Sequence, residues 1–85
     1  MEKYNFIADP GHGWLEVTIE EIRELGIAKD ISGFSYRTKT HVYLEEDCDA
    51  SVFLKAKKEE IETEYVYQEV TPIRNYAAYS SWYIE

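Results

Sequence analysis

The chain has 85 residues, 17 acidic and 9 basic, for a formal net charge of −8, with eight tyrosines and one cysteine, Cys48. This length allows one domain that buries roughly 60–65% of its unfolded surface, which leaves little room for a deep catalytic pocket beside the core. The negative charge argues against non-specific binding to nucleic acid or to an anionic membrane, and a single cysteine excludes an internal disulfide.

No apolar run approaches the ~18 residues of a membrane span, and the N-terminus lacks a signal pattern. These features predict a cytoplasmic chain, within a host cell, that needs no cofactor. Tyrosine at this density supplies contact area with a polar tip, a chemistry suited to interfaces and to the rim of a small core.

Tyr4 to Ala8 reads as a first strand. Asp9-Pro10-Gly11 is a turn, in which Pro presets φ and Gly permits φ > 0. Trp14, Leu15 and Val17 continue as the second strand of a hairpin. Thr18-Ile19-Glu20-Glu21 is a capping box, and Ile19, Ile22 and Leu25 then share one helical face, with Gly26 as the C′ residue. Ile27 to Gly33 connects to a second hairpin, Phe34–Thr38 and His41–Glu45, in which Val42 and Leu44 face one way and His41, Tyr43 and Glu45 the other.

A second helix is predicted from about Asp49 to Glu60, with Asp47 or Asp49 as N-cap and Val52, Phe53 and Ala56 as its buried stripe. Ile61 to Val70 alternates as a last long strand, ended by Pro72, with Tyr65 and Tyr67 on one face. The segment 71–85 is an aromatic C-terminal extension, too apolar at Tyr76, Tyr79, Trp82 and Tyr83 to stand free in water. The order ββα-ββα-β predicts a single α+β domain over 1–85, a mostly antiparallel sheet with two helices on one face.

Two features carry possible chemistry. Asp9-Pro10-Gly11-His12-Gly13 after a strand resembles the zinc-binding loop of the N-acetylmuramoyl-alanine amidases, with His12 at the position of a zinc ligand. The resemblance spans about six residues and implies a zinc-dependent hydrolase centred on His12. It also requires a second His and a Glu, for which the chain offers His41 and Glu20 or Glu21; Trp14 stands where that family has a glycine. Backbone geometry alone explains the Pro and Gly. His41 and Glu45 share a strand face but stand four residues apart, roughly 13 Å, too far to touch, and His12 beside Glu16 reads as an exposed loop histidine. Cys48 sits between aspartates, which oppose its thiolate.

The second feature is the acidic run Glu45, Glu46, Asp47 and Asp49 at the start of a helix. It lacks the spacing and central Gly of a calcium loop. It caps a helix, and with Glu20, Glu24, Glu59, Glu60, Glu62 and Glu64 it forms a candidate partner-binding surface. Tyr43, Tyr65 and Tyr67 are assigned to that surface as anchors.

Asp9-Pro10-Gly11-His12-Gly13-Trp14-Leu15-Glu16-Val17 and Val42-Tyr43-Leu44-Glu45-Glu46-Asp47-Cys48-Asp49-Ala50 are similar to a small protein of the kind carried by phages and mobile elements, over the chain to about Tyr79. That resemblance implies size and origin, and no catalytic residue. The expected function is a small acidic, non-enzymatic binding protein, a phage-type inhibitor of a basic or nucleic-acid-binding host protein, with no direct contact to nucleic acid. The alternatives are the zinc hydrolase and a structural homo-oligomer joined through its aromatic tail.

Overall fold

The computed structural model describes residues 2–84. Strands β1 (Lys3–Ala8) and β2 (Gly13–Thr18) form the antiparallel hairpin that their alternating apolar residues and the Pro-Gly turn predict. Gly13 is needed for packing: a Cβ there would lie 2.6 Å from the Phe6 ring.

Helix α1 (Ile19–Leu25) starts on the capping box: Thr18 Oγ1 accepts from the Glu21 N–H at 3.1 Å, and the Thr18 N–H donates to the Glu21 carboxylate. It ends at Gly26, whose φ of 69° is the left-handed conformation that stops a helix. Ile19 and Ile22 are buried, as their spacing predicts.

The second hairpin is shorter than its alternation suggests. Strand β3 is only Tyr36–Arg37, and it pairs antiparallel with β4 (His41–Glu45). Ser35 leaves the strand because its fully buried hydroxyl serves two partners, accepting from the Glu45 N–H and donating to Asp49.

Helix α2 spans Asp49–Lys57 and stops before the predicted Glu60. Lys58 takes a left-handed φ of 58°, and Glu59 and Glu60 would set negative charge against the negative end of the helix dipole. Neither Asp47 nor Asp49 is the N-cap. Cys48 holds that position without a side-chain cap, and the Asp49 carboxylate turns inward.

The last long strand, β5, covers Glu62–Tyr67 and pairs parallel with β1. The aromatic extension is part of the fold: β6 (Ala77–Ala78) pairs with β3, and a short helix α3 (Ser81–Ile84) follows. Tyr79 is buried and donates its hydroxyl to the Ala28 carbonyl, while Arg23 Nε donates to the Ile84 carbonyl at 2.7 Å. The sixth strand extends the predicted five, and Glu85 lies outside the described residues.

The sheet order is β5-β1-β2-β4-β3-β6, all antiparallel except β5 with β1. Both longer helices pack on one face, over Leu15, Val17, Val42 and Leu44, with Phe53 of α2 buried in the same cluster. The fold is therefore α+β with a mostly antiparallel sheet. The opposite face carries a second cluster of Trp14, Tyr43 and Ile73, with Tyr36 and Tyr76 packed against it. Arg74, in the 3₁₀ turn Pro72–Asn75, anchors that covering segment to the hairpin turn.

Candidate functional site

Two regions gather part of the residues singled out by sequence. The first is a cleft at the tip of the β1–β2 hairpin, with a volume of about 370 Å³, lined by His12, Trp14, Tyr36, Glu45, Cys48 and Arg74. Asp9 organises it. One carboxylate oxygen accepts from the N–H groups of Gly11 and His12, at 2.9 Å each. Arg74 meets the carboxylate side-on, at 2.7 Å from Nε and 3.0 Å from Nη2. The Arg74 hydrogen bonds, aided by those from the turn backbone, hold the Asp9 carboxyl well below the usual carboxylate range against its burial.

Cross-strand pairing of Trp14 with Glu45 carries Glu45 into this cleft, a long-range contact that no local spacing announces. Its carboxylate accepts from the Asp47 N–H at 2.9 Å and from the Cys48 thiol at 3.5 Å, and it lies 3.9 Å from His12 Nδ1. A carboxylate therefore stands between the imidazole and the thiol. A nucleophilic Cys is activated by a base beside the sulfur or by a lowered thiol pKa. Burial, reinforced by Asp49 and Glu45, pushes the Cys48 thiol up in spite of a contact with Ser32. The carboxylate beside the sulfur and the raised thiol both disfavour a thiolate at Cys48.

The zinc set suggested by the hairpin loop does not converge. His41 pairs with Thr18 at the far end of β2, roughly 20 Å along the strand from His12. Its Nδ1 lies 2.8 Å from Thr40 Oγ1. Glu21 stays in the capping box. Among the described residues no group of three or more His, Cys, Asp or Glu side chains is placed to hold a metal ion.

The acidic run does not form one surface. Glu45 is buried in the cleft. Asp49 is buried as well, accepting from the Ser32 N–H at 3.0 Å and from the hydroxyls of Ser32 and Ser35. Tyr43 is buried, with its hydroxyl donating to Glu16 at 2.9 Å, and burial together with that carboxylate pushes its phenol up. Glu46 and Asp47 are exposed.

The second region is the flank of the sheet at β5. Tyr65 and Tyr67 are 65% and 52% exposed, and Val70, just beyond, is 85% exposed. Tyr65 stacks on Phe6, with ring centroids 6.1 Å apart, which fixes its ring without covering it. Between this strand and α2 runs an apolar groove of about 410 Å³, lined by Phe6, Leu15, Ala50, Leu54 and Ile61 and rimmed by Glu59 and Glu60. The groove is what the sequence reading missed; Leu54 falls outside the expected buried stripe and was its only trace.

Among the described residues no helix is long and apolar enough to cross a membrane. No family model matches the chain, and comparison with curated proteins and with solved structures returned no match.

Proposed function

We propose that this chain is a small, acidic, non-enzymatic binding protein whose partner is a basic protein that handles nucleic acid. One observation carries the reading: the flank at β5 displays Tyr65, Tyr67 and Val70 among the exposed carboxylates of Glu59, Glu60, Glu62, Glu64 and Glu69. Large exposed apolar groups within a charged rim mark interaction surfaces. The carboxylates speed encounter with a positive groove, and the tyrosines anchor the complex once formed.

The resemblance to phage-borne proteins makes a host defence protein the natural target, and occupation of its nucleic-acid groove the means of inhibition. The test is capture from bacterial lysate on the immobilised chain, followed by titration of the recovered protein. The expected result is a basic nucleic-acid-binding protein, displaced by DNA or RNA, whose affinity falls about tenfold or more between roughly 50 and 300 mM salt. Recovery of no basic protein at low salt, or binding indifferent to salt, overturns the proposal.

A further inference from the structure

Among the described residues no strand lies beside the outer edge of β5. The Glu62 N–H donates to the Glu2 carbonyl and the Gln68 N–H to the Ala8 carbonyl, both at 2.8 Å. Backbone groups alternate in direction along a strand. The even-numbered residues of β5 therefore bond to β1, and the N–H and C=O groups of Thr63, Tyr65 and Tyr67 face away from the sheet. The side chains of those three residues lie on the helix face, in register with Tyr4, Phe6 and Ala8, beside the apolar groove under α2. An unpaired backbone edge next to an apolar groove is the geometry by which a peptide adds as a strand, its hydrogen bonds giving affinity and alternate side chains entering the groove.

Charge selects the occupant. Residues 59–69 hold five glutamates and no basic residue. The only ion pair to a β5 carboxylate among the described residues is Lys3 with Glu64, which is exposed at both ends. A second copy of this chain would set glutamates against glutamates, and like charges across a strand pair are destabilising. We infer that β5 receives an extended segment of a partner protein in which basic residues alternate with apolar ones, added as a strand outside β5. The basic side chains face Glu62 and Glu64, and the apolar ones enter the groove beside Tyr65.

The inference rests on the binding-protein reading and gives it a site. Its test uses the full chain and a synthetic peptide of alternating lysine and valine, with a control of the same sequence N-methylated at alternate backbone nitrogens. The control keeps the charge and cannot pair as a strand. The lysine–valine peptide is expected to bind at low salt, to slow amide exchange at Thr63, Tyr65 and Tyr67 by about tenfold or more, and to outbind its methylated form by a similar factor. Thr63→Pro, which removes an outward N–H and leaves the β1 ladder and every charge in place, is expected to weaken the same peptide about tenfold. Equal binding of the two peptides, protection elsewhere than β5, or no saturable binding up to about 1 mM overturns the edge as the site. The first of these outcomes leaves an acidic binding surface intact, whereas the failure of lysate capture removes the binding reading itself.

Discussion

Adjacent acids in this chain have opposite fates, and the difference is decided by what each carboxylate can reach. Asp49 is 2% exposed and accepts three hydrogen bonds from Ser32 and Ser35, while Asp47 points into solvent two residues earlier. Asp49→Ala strands those donors in the interior and is expected to cost about 2–4 kcal/mol in urea unfolding, against less than about 0.5 kcal/mol for Asp47→Ala. Asp9 gives a second residue-scale outcome. Its folded carboxyl is held below the ordinary range by Arg74 and the turn backbone, so its contribution to stability is complete above the ordinary carboxylate pKa of about 4 and is lost as the pH falls from there through the depressed value. Asp9→Asn is expected to be less stable than the parent chain at neutral pH, and the gap in denaturation midpoint should close as the pH is lowered from about 4 towards 2. A gap that widens on acidification would contradict this assignment. The acids of 45–49 look alike as letters; the serines that bury one of them lie 14 and 17 residues upstream of it, beyond any local spacing.

Elements whose reasons are local were legible, and elements whose reasons are distant were not. Helix α1 carries its cap, apolar stripe and terminating glycine within nine residues, Thr18 to Gly26, and forms as read. Thr18→Ala is expected to cost about 1 kcal/mol in thermal or urea unfolding, with Thr18→Ser recovering most of it. Strand β6 is two alanines, Ala77 and Ala78, which have no period to read; it exists because β3 offers an edge. The alternation of β5 was visible, but its parallel partner was not, since β1 lies some sixty residues earlier and nothing in either strand names the other. Helix α2 shows the same division. Of its expected stripe, Phe53 is fully buried while Val52 and Ala56 are half-buried, Ala50 joins the core instead, and the start of the helix is set by the remote pull on Asp49. The candidate site follows this pattern: Tyr65 and Tyr67 are displayed because they stand on an edge strand, and Tyr43 is hidden because the 3₁₀ turn with Ile73 folds back over its face.

For the molecule as a whole, the C-terminal segment is core rather than attachment. Ile73, Tyr79 and Ile84 are each buried, and Arg74 ties the hairpin turn to the far end of the chain. A chain cut after Val70 is therefore expected to lose cooperative unfolding, read as loss of near-ultraviolet circular dichroism and a broadened thermal transition, and it would not report on an interface between copies. If the shortened chain instead unfolds as sharply as the full one, the segment is dispensable packing. The parallel pairing of β1 with β5 has a further consequence, in time. Contacts that close this molecule join residues 51, 61 and 65 positions apart, in addition to the ladder between its first and fifth strands. Such remote closures place it among the slower small folders, in the millisecond-to-second range. On the ribosome, β1 has no outer neighbour until residue 67 has emerged, so for most of its roughly 4–17 s synthesis the exposed margin of the nascent sheet is Lys3–Ala8, with Phe6 and Ile7 uncovered. On this side of the sheet the edge that faces solvent in the finished protein is the acidic one of β5; the apolar one of β1 is open only while the chain is being made.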